Sequence, residues 1–244
     1  MATRHDDKLL TLLQKKSAKL GLRTDAQIEE SAEYLSRLFS DFEQAKRIKT
    51  LAFLETLRLD EAGRIVNDVD NELRLKRFLE EIKDLQIETF DPESNFGKWI
   101  DNQYEKAAET GAMKAGDFYK IGEGAALPKG YAPPTSGLIR AAKESLFLDI
   151  TTRNSMDLDL VRQSVLRRIL DPTGSIKTLR EDLLRTGQIE GMLDSAGRRI
   201  TASERADRIA SYEIADLTTK AEQETVNDIY NDGEAKPGET WYLW

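Results

Sequence analysis

Between Ile28 and Leu54 apolar side chains recur at steps of three or four residues: Ile28, Ala32, Leu35, Leu38, Phe42, Ala45, Ile48, Leu51 and Leu54. That period writes one continuous apolar stripe along an α-helix, whereas a strand would bury every second residue. A long helix with one apolar stripe needs a second helix to cover it. The segment from about Asp60 onward offers that cover, with Ala62, Ile65, Val69, Leu73, Phe78, Ile82 and Leu85 predicted on one side. Thr24 or Asp25 is placed to cap the long helix. Ahead of it, Asp6 to Leu20 reads as a short amphipathic helix on Leu9, Leu10, Leu12, Leu13 and Leu20, closed by Gly21.

Composition agrees with helices that keep a solvated face. Of 244 residues, 39% are apolar and 33% charged, polar for a single globule but ordinary for long helices. The formal charge of −8 sets the bulk surface against DNA and anionic membrane, so a nucleic-acid contact requires a local basic patch. Cysteine is absent, which removes disulfides, thiolate metal sites and cysteine nucleophiles. No stretch is apolar and long enough for a signal peptide or a membrane span, so a soluble protein without membrane contact is expected.

The composition changes at Thr89, where a proline, a glycine and aromatics precede a predicted helix from Lys98 to about Thr110. From Gly111 to Gly137 the chain carries six glycines and three of its six prolines with almost no periodicity. This reads as a Gly/Pro-rich loop, either a flexible connector or a functional, partner-bound segment. A second helical half follows. Leu138, Ile139, Ala142, Leu146 and Ile150 lead one stripe; Leu160, Val161, Val165, Leu166 and Ile169 form the next, ended by Pro172 and Gly174. Ser175 starts a short helix on Ile176, Leu179, Leu183 and Leu184. The fold class is therefore mainly α, with long amphipathic helices in two halves. The expected division is a long-helix region over 1–110, a linker over 111–136 and a second helical domain over 137–244.

Fingerprints of catalysis are missing from the sequence. His5 is the one histidine, so His-based triads, metalloprotease helices and most zinc sites cannot be assembled. In IGEGAALPKG the lysine is followed by glycine and not Ser or Thr, so no phosphate-cradling loop is formed. The acidic pairs Asp157 with Asp159 and Glu29 with Glu30 fit solvated helix faces better than acid/base chemistry. No catalytic residue, cofactor or metal ligand is assigned, and the chain is not read as an enzyme.

Basic residues gather after the midpoint of the chain. Arg162, Arg167, Arg168, Arg198 and Arg199 are the candidates for DNA contact, within a region that also holds Lys177, Arg180, Arg185, Arg205 and Arg208. Surface or intersubunit ion pairs are the competing use of the same side chains. No aromatic residue lies between Arg153 and Arg208, so stacking on single-stranded bases is unsupported.

The run Arg205-Ala206-Asp207-Arg208-Ile209-Ala210-Ser211-Tyr212-Glu213 resembles the R-A-x-x-I-A-x-x-E signature of the phage Mu F-like minor head proteins, head morphogenesis proteins of tailed phages. Ala206, Ile209, Ala210, Ile214, Leu217 and Ala221 share one side of this helix, with Arg205, Arg208 and Asp216 predicted elsewhere. Glu213 sits at the stripe's edge, where an arginine of a neighbouring helix can pair with it. The family's helix is followed by a tryptophan-bearing strand, and Asn231-Asp232-Gly233 here precedes Thr240-Trp241-Tyr242-Leu243-Trp244. A small β element at the C-terminus is thus implied. The likeness covers about residues 136 to 244; Ser211-Tyr212 stands where family members usually carry Arg-Thr.

The resemblance implies a virion protein inside the head, in several copies around the portal, assembled in the host cytoplasm and acting in DNA packaging or ejection. Its implied partners are the portal protein, packaged double-stranded DNA and the major capsid protein. Two other readings stand beside it: the amino-terminal targeting region of a longer phage enzyme or toxin of ADP-ribosyltransferase type, or a coiled-coil scaffold or adaptor with no DNA contact.

Overall fold

The computed structural model describes residues 4–123, 136–171, 173–185, 192–193 and 198–231. Among them the fold is mainly α. The elements are α1 (Arg4–Thr56), α2 (Val69–Phe90), α3 (Asn95–Glu123), α4 (Ser136–Leu170), α5 (Ile176–Arg185), β1 (Met192–Leu193), β2 (Arg199–Ile200) and α6 (Ala202–Asn231). The two strands form one antiparallel pair, Met192 against Ile200 and Leu193 against Arg199. This β element precedes the motif helix. The tryptophan-bearing strand expected after it, with Trp241, lies outside the described residues.

Several predicted boundaries move, each for a local reason. Gly21 does not end a helix: α1 runs through it, and Thr24 donates its hydroxyl to the Leu20 carbonyl inside the helix instead of capping it (3.1 Å). Exposed glycine lowers helix propensity, but with helix on both sides it does not stop one. The second helix starts at Val69, not near Asp60. There Asp60 Oδ1 accepts from the backbone N–H of Ala62 and Arg64, both at 2.9 Å, and Gly63 adopts φ 76°, so a turn wins over the helix. The buried Asn71 holds that turn, donating to the carbonyls of Arg58 (3.1 Å) and Val66 (2.7 Å) and accepting from the Arg58 N–H (2.9 Å). Asp68 then caps α2, its Oδ1 accepting from the Asn71 N–H at 2.8 Å.

The first part of the predicted loop is helical instead, because α3 continues to Glu123, through Gly111 and Gly116. The two apolar segments after Ser136 are one helix of 35 residues, α4. Its end before Asp171 falls where Pro172 and Gly174 place it. At the start of α5, Ser175 and Thr178 cap reciprocally: Thr178 N–H donates to Ser175 Oγ (3.2 Å) and Ser175 N–H to Thr178 Oγ1 (3.0 Å).

The chain groups into two units, and neither follows the division into 1–110 and 137–244. One comprises Met1–Ala32, Trp99–Ser145 and Asp207–Trp244; the other comprises Glu33–Lys98 and Leu146–Ala206. Each therefore draws segments from both sides of the predicted linker.

In the first unit, small residues let α3 and α6 approach closely. Ala107, Ala108 and Ala115 of α3 and Ala210, Leu217 and Ala221 of α6 are all buried. A Cβ on Gly111 would stand 2.1 Å from the Thr218 carbonyl oxygen and 2.9 Å from the Glu222 nitrogen. Only glycine fits that crossing, which is why this glycine sits inside a helix. Lys114 pairs with Glu222 beside it at 2.6 Å. Gln27 of α1 is likewise buried and donates to the Gln103 carbonyl of α3 (2.7 Å).

The second unit has an apolar core of its own. Phe53, Leu54, Leu57, Ile65, Leu75, Phe78, Ile82, Val161, Val165, Ile169, Leu179 and Leu183 form one buried cluster, with Phe53 stacked on Phe78 at 4.4 Å. Phe78, Ile82, Val161, Val165 and Ile169 were legible as stripe residues. Ile48, Val69 and Leu73, predicted on the same stripes, are exposed instead, and the buried line of α1 passes through Ser31, Leu35, Phe39, Phe42, Lys46, Thr50 and Phe53. A second aromatic group packs Phe90 against Phe39 (5.9 Å), Phe42 (5.0 Å) and Phe96 (5.7 Å), and Phe96 against Phe147 (5.6 Å).

Candidate functional site

The motif helix begins with the sequence Thr201-Ala202-Ser203-Glu204. Thr201 Oγ1 accepts from the Glu204 N–H at 3.1 Å, and Glu204 Oε2 accepts from the Thr201 N–H at 2.9 Å. Two N–H groups that a helix start leaves open are thereby satisfied, and the register of α6 is set. This T-x-x-E pattern was readable in the sequence and is the signal that locates the helix start.

Arg205, placed off the apolar side by period alone, is 8% exposed in the second unit. Its guanidinium carbon lies 4.2 Å from the centre of the Phe39 ring, a buried cation–π contact. Burial, and then the nearby Arg153 charge, pull the Arg205 pKa below its ordinary value, while Glu43, Asp157 and Asp149 act in the opposite direction. Glu43 feels the same enclosure. Burial raises its carboxyl above the usual range, against the lowering charges of Arg205 and Lys46, and its Oε1 is enclosed without a hydrogen-bond partner. Lys46 pairs with Asp157 at 3.4 Å. The arrangement fixes side chains among one another.

Glu213, in the first unit, is half-buried, and its Oε2 accepts the hydroxyl of Tyr104 of α3 at 2.8 Å. An arginine was expected there from the sequence. Tyr104 is 1% exposed, and burial first, then the Glu213 charge, push its phenol far above its ordinary pKa, so it stays a neutral donor. Ala206 and Ala210 are buried and Ile209 is half-buried. The five described motif residues are thus all buried or half-buried.

The DNA-contact candidates separate into different roles. Arg162 and Arg167 are exposed on α4. Five residues apart, they point about 140° away from each other around the helix. Arg168 is committed to carboxylates: Nε lies 2.7 Å from Asp182 and Nη1 3.0 Å from Asp171. These carboxylates raise the Arg168 pKa, the Asp182 hydrogen bond foremost, and Arg168 in turn holds Asp182 below the usual carboxylate range. Arg168 therefore ties the end of α4 to α5. Arg198 is exposed ahead of β2, and Arg199 on β2 is exposed while donating to the Leu184 carbonyl at 3.3 Å. Arg185, absent from the sequence-derived set, joins the group: it lies 3.5 Å from Asp182 with its side chain 73% exposed. No local sequence pattern signals that Asp182 collects these arginines.

Among the described residues no group of three or more His, Asp or Glu side chains is placed to hold a metal ion. No described helix is long and apolar enough to cross a membrane. No protein-family model matches the chain, and neither a curated protein nor a solved structure matches it.

Proposed function

We propose that the protein is a non-enzymatic assembly component, a minor head protein of a tailed phage that binds the portal from inside the capsid. The observation that carries the reading is the placement of the Arg205–Glu213 segment on one uninterrupted helix, with Ala206 and Ala210 buried and both charged ends held by aromatic neighbours, Phe39 and Tyr104. A signature made of small residues and anchored charges suits a helix whose task is packing and assembly. The long helices with extensive charged faces suit a protein that works against partners and not on a small substrate. In this reading several copies surround the portal, within reach of packaged double-stranded DNA and the major capsid protein, in host cytoplasm first and the virion afterwards.

Co-sedimentation of the purified chain with portal rings tests the reading. Saturable association at micromolar concentration supports it; no association, alone or during head assembly, overturns it. The scaffold reading without DNA contact gains one specific support, the commitment of Arg168 to Asp171 and Asp182. A stop codon shortly after the Trp244 codon would remove the reading as the targeting region of a longer phage enzyme or toxin.

A further inference from the structure

We infer that the C-terminal end of α5, with the neighbouring end of α4 and strand β2, is a phosphate-binding surface for duplex DNA, formed by Arg167, Arg185 and Arg199. The inference names a partner and its contact residues within the assembly reading above, and rests on that reading only in taking DNA as the polyanion.

Asp182 organises the surface. Its side chain is 11% exposed, Arg168 Nε binds one oxygen at 2.7 Å, and Arg185 Nη2 lies 3.5 Å from the other. Arg167 adjoins Arg168 in the last turn of α4, with its side chain exposed. Two residues along α5 from Asp182 and next to Arg185, the Leu184 carbonyl accepts from Arg199 at 3.3 Å and thereby fixes β2 beside the helix end. The buried acid with Arg168 forms the base of the surface. Arg167, Arg185 and Arg199 are exposed around it.

Charge and composition select the ligand. The stretch from Leu160 to Ile200 carries eight basic and five acidic side chains, in a chain whose net charge is −8. A polyanion is therefore attracted here while the rest of the surface repels it. Guanidinium groups fit phosphate through their planar fork of donors. The absence of aromatic side chains from Arg153 to Arg208 withholds the stacking platform that single strands require, so the backbone of a duplex is the matching partner. Such contacts read charge spacing and not bases, so binding is independent of sequence.

The test is fluorescence anisotropy with a labelled duplex of about 20 base pairs, titrated from about 20 mM to 200 mM salt, where each phosphate contact adds about −0.9 to the slope of log affinity on log salt. Wild type is expected to show a slope near −3 and equal affinity for two unrelated duplexes, each single Arg→Ala variant losing about one unit of slope. Arg167→Ala/Arg185→Ala/Arg199→Ala should bind at least about tenfold more weakly at the lowest salt. Arg167→Gln/Arg185→Gln leaves the Arg199 contact to Leu184 in place and should lose about two units of slope, with helicity and Tm unchanged. The inference is overturned if wild type fails to bind at low salt, if the triple variant matches it, or if a single strand or poly-glutamate binds more tightly than the duplex. Portal co-sedimentation of the triple variant separates the two claims: retained portal binding with lost DNA binding supports this surface. Wild type that binds portal but no DNA overturns the surface alone.

Discussion

Tyr104 donates its phenolic hydrogen to Oε2 of Glu213 across 2.8 Å, joining a fully buried aromatic residue of α3 to the last residue of the R-A-x-x-I-A-x-x-E segment on α6. Phenylalanine at 104 keeps the ring but leaves the half-buried carboxylate without that donor. Tyr104→Phe should cost about 1–2 kcal/mol by denaturant titration, and Glu213→Gln less, because an amide oxygen still accepts the bond. A Glu213→Gln variant without any cost would remove the charge-assisted part of the argument, and one as costly as Tyr104→Phe would mean that the amide oxygen does not accept the bond.

Two glycines of the same type respond with opposite sign. Gly21 lies in the exposed middle of α1, with nothing within 4 Å of a Cβ, so Gly21→Ala should stabilise by about 0.5–1 kcal/mol through helix propensity. Gly111 meets the Thr218 carbonyl oxygen at 2.1 Å from that same added atom, so Gly111→Ala should destabilise by about 1–3 kcal/mol. Thermal melts of the two variants side by side decide the matter; a stable Gly111→Ala protein would mean that α3 and α6 can separate without loss.

Glu43 has its carboxyl raised by burial, so its protonated form is the one the fold favours. That stabilising contribution is full below the unfolded value near 4.3 and is lost as pH rises through the folded pKa. Glu43→Gln should therefore melt higher than wild type at pH 7, the gap closing towards pH 4. In an Arg205→Met background the gain should grow, since the foremost compensating charge on Glu43 is gone. A pH-independent difference would contradict the enclosure of this side chain.

Asp182 carries the reverse sign. Arg168 first holds its carboxyl below the usual range, so the stability it contributes is present above the unfolded value near 3.9 and is lost as pH falls through the folded pKa. Asp182→Asn should cost about 1–3 kcal/mol at pH 7, with the penalty shrinking at acid pH. Urea titrations at two pH values measure it.

The site was less legible than the fold, and particular residues show why. Arg167 and Arg168 are neighbours in sequence and equal in type, yet one is exposed and the other is held by Asp171 and Asp182. The partner that separates them sits on another helix, 14 residues on. Arg205 was expected outside the apolar stripe, but an arginine's stem and flat head pack on an aromatic ring as an apolar residue does, and Phe39 supplies the ring. Tyr104 carries no sequence signal at all, because a tyrosine in a helix reads alike whether its hydroxyl meets water or a carboxylate.

Sequence alone determined that the chain is helical, that α4 ends before Pro172 and Gly174, that a short helix follows directly from Ser175, and that Phe78, Ile82, Val161, Val165 and Ile169 belong to a core. These follow from period, capping and backbone restriction, which act within a few residues. Tertiary structure decided that Ile48 and Leu73 face solvent while Lys46 and Thr50 are buried, that Gly111 serves a helix crossing instead of a loop, and that each unit draws on both sides of the predicted linker. A helical period establishes that a stripe exists; which part of it is covered depends on where the neighbouring helices lie, and those neighbours come from distant positions in the chain.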